Sequence, residues 1–257
     1  MAKLQGIFKF TGTLGEVSAY KGQNGEINLR QKGGVEKSRI MNDPNFARTR
    51  ENMSEFGKAA SAGKLVRRAL RSVSSYFKYA TAGKVTKLMR EKIEEDTENA
   101  RGERTITTAN LGDIANRLDI FKNVAAEVCK IPLLIASSGA NISIGLNVTS
   151  TADFIPPAGA THYRVKSLVG IVKVEDEKAE QLEGTTGAWE ALSAPVAFTD
   201  SYATGAVADD LVIGVAYIEF AQQVGGNFYT LGGAYFEQAS YIQGGGGGNP
   251  GGGGGGS

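Results

Sequence analysis

The sequence predicts an α+β fold, in which an N-terminal β-hairpin and helices precede a C-terminal antiparallel β-sandwich and a glycine-rich tail. Three observations predict it. The pair Asn24-Gly25 separates two short β-prone runs near the N-terminus, as in a tight hairpin turn. Apolar residues then recur at helical spacing from residue 44 to residue 118. From residue 121, short apolar and alternating runs are separated by Gly, Pro, Asn, Asp and Ser, which is typical of sandwich strands.

The N-terminal elements follow from local signals. The hairpin is expected within residues 5–34, and it must dock on another element because an isolated hairpin is marginally stable in water. Asp43-Pro44 predicts a helix start, since Asp caps a helix and Pro fits its first turn. We expect one or two helices over residues 44–79, interrupted at Gly57 and Gly63, a further helix at 86–98, and another that opens near residue 108.

About six to eight sandwich strands are expected from the short apolar and alternating runs, which include residues 131–136, 142–148, 162–174, 195–198, 211–224 and 227–242. Residues 150–161 and 176–194 are predicted as long loops. The chain is therefore divided into a basic hairpin-and-helix region at 1–119, a sandwich domain at 120–243 and a tail at 244–257. The tail glycines bury no side chain, which predicts an unstructured tail unless an assembly packs it as an extended strand.

Charge is divided unevenly along the chain. Residues 1–92 contain 19 Lys and Arg against 7 Asp and Glu, a net charge of +12, whereas residues 93–257 contain 9 against 20, a net charge of −11. A basic region of this kind binds a polyanion such as nucleic acid, or the acidic region of another copy. The near equality of the two charges favours contact between copies.

Residues for catalysis and metal binding are scarce. His162 is the only histidine and Cys129 the only cysteine, so one chain cannot supply the usual four nitrogen and sulfur ligands of zinc. No Gly-x-Ser-x-Gly turn accompanies His162. We therefore expect that the chain is not an enzyme and that it binds no cofactor. An enzyme that uses carboxylates alone, and a carbohydrate-binding sandwich with Trp189 as its platform, are the alternatives.

The leading hypothesis is a structural, self-assembling protein, the subunit of a filament or surface lattice held by head-to-tail contacts and strand addition. The apolar residues expected to complete an open sheet edge of a neighbour are Leu4, Ile7, Phe8 and Phe10. The cations expected to face the acidic sandwich are Arg67, Arg68 and Arg71. The alternative is a nucleic-acid-associated or virion structural protein, whose phosphate contacts would be Lys64, Arg67, Arg68, Arg71, Lys78, Lys84, Lys87 and Arg90. The expected partners are thus other copies of the chain, with nucleic acid as the alternative.

The sequence contains no run of about 18 apolar residues, so no membrane span is expected. The first thirty residues also lack the apolar segment of a secretory signal. The sequence does not decide between an extracellular filament and a cytoplasmic assembly.

Four segments carry a resemblance to a known family. They are GTLGEVSAYK at residues 12–21, LRQKGG at 29–34, DPNFARTREN at 43–52 and EFG at 55–57. In these segments the chain resembles an uncharacterised protein family of Bacteroidota, over about the first 75 residues. The resemblance implies a bacterial origin, and it brings no activity, cofactor or catalytic residue with it.

Overall fold

A computed structural model describes residues 2–3, 10–31, 33–106, 111, 114–132, 134–138, 141–148, 153–193, 196–204 and 210–242. The chain divides into two compact units, Met1–Glu51 and Asn52–Ser257. This division places residues 52–119 with the sandwich, whereas composition places them with the N-terminal hairpin. The glycine-rich tail at 244–257 lies outside the described residues.

The first unit contains an antiparallel sheet of four short strands, which we call the N-terminal sheet. In the order β1-β4-β3-β2 its members are β1 (Ala2–Lys3), β4 (Ile27–Gln31), β3 (Val17–Lys21) and β2 (Gly12–Leu14). The predicted hairpin is confirmed as β3 and β4. Its turn is closed by a 2.8 Å hydrogen bond from the Gly22 amide to the Glu26 carbonyl, and Gly25 adopts a φ of 77°, which glycine tolerates without strain.

The predicted helix start at Asp43-Pro44 is confirmed. A short helix α1 (Lys37–Asn42) precedes it, and a 3₁₀ turn (Pro44–Phe46) leads into α2 (Ala47–Ala69). The Asp43 carboxylate accepts a 3.0 Å hydrogen bond from the Asn45 amide, as an N-cap does. The interruption expected at Gly57 and Gly63 is wrong, since α2 is continuous. One glycine costs a helix only about 1 kcal/mol, less than its buried face contributes.

The remaining helices are shorter. A 3₁₀ turn (Arg71–Tyr76) follows α2, then α3 (Thr81–Glu94) and a single turn, α4 (Ile114–Arg117). Helix α3 begins and ends earlier than the expected span of 86–98. Its end follows from Asp96, whose carboxylate accepts hydrogen bonds from the amides of Glu98 and Asn99 and so favours a turn over another helical residue.

Within the described ranges, the second unit has two antiparallel sheets. The three-stranded sheet, in the order β10-β6-β5, contains β5 (Leu134–Ser138), β6 (Asn141–Val148) and β10 (Val196–Ala203). The five-stranded sheet, in the order β12-β11-β7-β8 with β9 also on β7, contains β7 (His162–Lys173), β8 (Lys178–Thr186), β9 (Glu190–Ala191), β11 (Leu211–Val224) and β12 (Asn227–Ile242). The α+β class is confirmed. The loop predicted at 176–194 is wrong, because β8 and β9 lie there.

The five-stranded sheet has an apolar core on each face. On β11, Ile213 and Val215 belong to the core that contains Met89 of α3, whereas Val212 and Ala216 belong to the core shared with the three-stranded sheet. This alternation follows the two-residue period of a strand. The second unit therefore has three layers, with helices on one face of the five-stranded sheet and the three-stranded sheet on the other.

Helix α2 approaches strand β7 closely where it ends. A Cβ atom at Gly170 would lie 2.9 Å from the Ala69 carbonyl oxygen and 3.0 Å from the Ala69 Cβ. Glycine at this strand position therefore lets the helix backbone lie against the sheet.

Candidate assembly surfaces

The N-terminal sheet has an apolar and a polar face. Its register places Leu14 beside Val17 and Ala19 beside Leu29. Because alternate residues of a strand share a face, the apolar face contains Leu14, Val17, Ala19, Ile27 and Leu29, with Lys21 and Gln31 at its ends. The opposite face contains Thr13, Ser18, Tyr20, Asn28 and Arg30. Such a sheet is expected to pack its apolar face on another layer.

The apolar face is covered at its centre and exposed at its β2 end. Ala19 is buried, and Ile27 and Leu29 are half-buried. In contrast, Leu14 is 70% exposed and Val17 is 37% exposed. Among the described strands, β2 also pairs only with β3. We call Leu14, Val17 and the outer edge of β2 the β2 surface; it combines exposed apolar side chains with strand backbone groups.

The apolar residues predicted to complete a neighbour's sheet are described only in part. Phe10 is 39% exposed, which leaves it available to a partner. Leu4, Ile7 and Phe8 lie outside the described residues. Their role stays a prediction.

Two of the cations predicted to bind nucleic acid share a carboxylate partner. Lys78 forms an ion pair with Asp119, and the Lys84 ammonium lies 3.6 Å from the same carboxylate. The hydrogen bond from Lys78 is the largest influence on Asp119 and, with both positive charges, outweighs burial and lowers the pKa of that carboxyl. The charge of this pair of lysines is therefore partly neutralised within the chain.

Two more of these cations are paired along α3. The Lys87 ammonium lies 3.9 Å from the Glu91 carboxylate, and Arg90 Nε lies 3.3 Å from that of Glu94. Both are i,i+4 pairs of the kind that stabilise an exposed helix by about 0.3–0.5 kcal/mol. With Lys78 and Lys84, half of the predicted nucleic-acid set thus has an intramolecular role.

The other four cations lie at the end of α2 and just after it. Lys64, Arg67 and Arg68 follow the spacing i, i+3, i+4, which places neighbours on one side of a helix, whereas Arg71 begins the 3₁₀ turn that follows α2. We call these four cations the basic stripe. Arg67 is half-buried and donates a 3.1 Å hydrogen bond to the Gly63 carbonyl, while the other three are exposed. Within the described part of the chain, none forms an ion pair with a carboxylate. The C-terminal end of a helix attracts cations, but like charges that lie close together there also repel one another.

A cavity of about 690 Å³ lies beside α2 in the second unit. Its apolar lining includes Met53 and Leu65 of α2, Ile106 and Val174. Glu175 and Glu177, in the β7–β8 turn, are exposed and contribute carboxylates to its lining. The cavity lies within the range of about 300–1,000 Å³ that is usual for binding sites.

Hydrogen bonds hold one side of this cavity in place. Lys58 Nζ donates 2.8 Å hydrogen bonds to the carbonyls of Glu103 and Arg104. The Thr105 amide donates a 2.9 Å hydrogen bond to Asp96. That bond, followed by those from Asn99, holds the pKa of Asp96 well below its ordinary value. Lys58 is therefore committed to the protein backbone, and Glu175 and Glu177 are the lining groups with exposed charge.

Trp189 stacks within the protein. Its ring lies 5.5 Å from the Phe228 ring at an angle of 17°, and the Arg164 guanidinium lies 4.2 Å from the Trp189 ring centre. Arg164 in turn forms 2.6 and 2.7 Å contacts with the buried carboxylate of Glu219, which Lys166 also contacts at 3.1 Å. Trp189 is half-buried, and its contacts with Phe228 and Arg164 make it part of an intramolecular cluster that extends to Glu219.

The candidate reactive groups do not converge on one site. His162 Nδ1 lies 2.8 Å from the Thr161 hydroxyl, and its ring contacts Phe228. Cys129 is buried, which raises the pKa of its thiol. Burial also raises the pKa of Tyr163 to about 12. Within the described residues, no group of three or more His, Cys, Asp or Glu side chains is placed to hold a metal ion.

No protein-family model, curated protein or solved structure matches the chain. The resemblance to a Bacteroidota family stays a prediction. None of the described helices has the length and hydropathy needed to cross a membrane.

Proposed function

We propose that the chain is a structural, self-assembling protein whose copies join head to tail through the β2 surface, forming a filament or surface lattice. The observation that carries this proposal is the apolar face of the N-terminal sheet, which is exposed at Leu14 and Val17. Removing apolar surface from water contributes roughly 25 cal/mol per Å², so a partner at this end stabilises the sheet. Exposed apolar side chains beside a strand edge are a common means of protein association.

The charges of the two units support a contact between unlike surfaces. Residues 1–51 contain 9 Lys and Arg against 5 Asp and Glu, a net charge of +4. Residues 52–257 contain 19 against 22, a net charge of −3. Opposite signs favour the first unit of one copy against the second unit of another. A repeated contact between unlike surfaces does not have to close, and it then produces a filament. This role requires no catalysis and no cofactor.

The replacement Leu14→Asp tests the β2 surface. We expect wild-type chains at high concentration and low salt to sediment as large species and to appear as ordered assemblies by negative-stain microscopy. The added carboxylate places a charge on the apolar face, where its desolvation is costly, so Leu14→Asp should shift the protein to monomers.

Thr13→Asp is the matched control, because it adds the same charge to the same strand on the opposite face. It should assemble like the wild type. Circular dichroism checks that both variants fold. The proposal fails if the wild type stays monomeric at high concentration and low salt, or if Leu14→Asp assembles as well as Thr13→Asp does.

The basic stripe supports a second candidate, a nucleic-acid-associated or virion structural protein. Four adjacent cations without carboxylate partners in the described chain repel one another, and phosphates would relieve this repulsion. Binding of this kind is dominated by charge and weakens strongly as salt rises.

A gel-shift titration with double-stranded DNA and single-stranded RNA tests this candidate. At about 50 mM salt, Arg68→Ala/Arg71→Ala should weaken binding and lower the magnitude of the salt slope by about 2, one unit for each phosphate that is no longer neutralised. Lys87→Ala/Arg90→Ala is the control, since it removes two cations that already have carboxylate partners. Absence of any shift by the wild type, or equally weakened binding by both double variants, would exclude the stripe as the phosphate site.

A further inference from the structure

We propose that the cavity beside α2 receives the apolar, basic N-terminal segment, residues 1–10, of a second copy of the chain, in exchange for the pairing of β1 (Ala2–Lys3) with β4 in its own N-terminal sheet. This inference rests on the proposed self-assembly and names a specific contact within it. Its starting point is the 690 Å³ cavity, which combines apolar walls with exposed carboxylates.

Gly57 gives the first argument, because it keeps the cavity floor open. It lies in the interior of α2 and lines the cavity. A Cβ atom at Gly57 would meet no atom within 4 Å, so local packing does not require glycine. Gly63 differs, since a Cβ there would lie 3.4 Å from Thr86 and Val85. Glycine costs a helix interior about 1 kcal/mol relative to alanine. Because Gly57 has no side chain, it leaves space beside the helix backbone that an occupant of the cavity can enter.

The chemistry of the segment matches that of the cavity. Residues 1–10 read MAKLQGIFKF and contain two lysines, Lys3 and Lys9, and no acidic residue. Their apolar side chains suit the walls formed by Met53, Leu65 and Ile106. Their ammonium groups suit the exposed carboxylates of Glu175 and Glu177. Methionine on such a surface also adapts readily to the shape of a partner.

Filling the cavity tests this contact directly. The probe is a fluorescein-labelled peptide of residues 1–12, titrated with the full-length chain and followed by fluorescence anisotropy. We expect saturable binding to the wild type and binding at least tenfold weaker to Gly57→Leu, whose side chain occupies the floor. Leucine favours a helix more than glycine does, so this variant should fold. Gly83→Leu is the matched control. Gly83 is also a helical glycine with nothing within 4 Å of a Cβ, it does not line the cavity, and its variant should bind like the wild type.

A charge exchange tests the orientation of the same contact. The peptide with Lys3→Glu and Lys9→Glu should bind the wild-type chain about fivefold more weakly, as expected when two exposed ion pairs are removed. The chain with Glu175→Lys and Glu177→Lys should bind the original peptide about fivefold more weakly and regain affinity for the exchanged peptide. Recovery by the double exchange would not follow from a general loss of stability.

The outcomes separate this inference from the proposed function. Absence of peptide binding to the wild type, or equal binding to Gly57→Leu and Gly83→Leu, overturns the cavity contact. If wild-type assemblies form by sedimentation and Gly57→Leu assembles equally well, self-assembly stands and the cavity is not its acceptor. If the wild type does not assemble, the proposed function fails whatever the peptide does.

Discussion

Replacing Arg164 by methionine is expected to lower the free energy of unfolding by about 3 kcal/mol, because it leaves the buried Glu219 carboxylate without its closest partner. Two nitrogen atoms of Arg164 contact one carboxylate oxygen, and among the ion pairs of the described residues only the Lys166 contact at 3.1 Å would remain. Methionine keeps much of the apolar stem of arginine, so the change in stability reports mainly on the charge. Urea denaturation at pH 7 measures it.

The fluorescence of Trp189 reports on the same substitution at the site itself. It is the only tryptophan of the chain, and its ring lies 4.2 Å from the Arg164 guanidinium. Removing the guanidinium should shift the tryptophan emission of the folded protein, before any unfolding. Arg68→Met is the matched control, since Arg68 is exposed; it should change stability by less than about 0.5 kcal/mol. An Arg164→Met variant as stable as Arg68→Met would contradict the role given to the Arg164–Glu219 pair.

The same region illustrates how the sequence predicts some strands and misses others. Strands β7, β11 and β12 are evident because both faces of β7 and β11 are buried, which produces long apolar runs. Strand β8 (Lys178–Thr186) is missed because it lies at the sheet edge and alternates exposed charged residues with half-buried ones. Edge strands carry charge and few apolar residues, so composition alone does not distinguish this one from a loop.

The sequence likewise predicts some features of the candidate surfaces and misses others. The spacing of Lys64, Arg67, Arg68 and Arg71 is visible in the sequence, and the structure places the first three on α2 and Arg71 in the turn that follows it. The neutralisation of Lys78 and Lys84 is not visible, because their partner Asp119 is distant in sequence and only the fold brings it close. The exposure of Leu14 also depends on register, since a shift of one residue would exchange the faces of the sheet. Charge counts therefore predict that a surface is basic, and tertiary contacts decide which cations are available to a partner.

Replacing Asp200 by asparagine is expected to lower the free energy of unfolding by about 2 kcal/mol at pH 7. The Asp200 carboxylate of β10 accepts 2.8 Å hydrogen bonds from the Ser167 hydroxyl of β7 and the Thr185 amide of β8, so it links the two sheets. Ser167 in turn accepts a 2.6 Å hydrogen bond from Tyr202. A Cβ atom at Gly184 would overlap the Tyr202 hydroxyl, so the network leaves no room for a larger residue beside it.

The pH dependence of this effect has a definite sign. Burial acts to raise the pKa of Asp200, but the hydrogen bonds from Ser167, Thr185 and Ser201 outweigh it, and the pKa of the folded state lies below the ordinary value. The carboxylate therefore contributes its full stabilisation above the pKa of the unfolded state, about 3.9, and loses it as the pH falls through the lower pKa of the folded state. The difference between wild type and Asp200→Asn should be constant from pH 7 to pH 5 and should shrink below about pH 4.

A control at an exposed aspartate separates the contribution of the Asp200 hydrogen bonds from the effect of removing a negative charge. Asp176 is 59% exposed on its side chain and lies 3.5 Å from Lys178, an ion pair that contributes little at the surface. Asp176→Asn should be nearly as stable as the wild type at every pH, because no buried donor loses its acceptor. Urea denaturation of the three proteins at pH 7, 5, 4 and 3 gives the comparison. A difference between wild type and Asp200→Asn that grows on acidification would mean that folding raises the pKa of this carboxyl, and would contradict the stabilising role given to the hydrogen bonds that the carboxylate accepts.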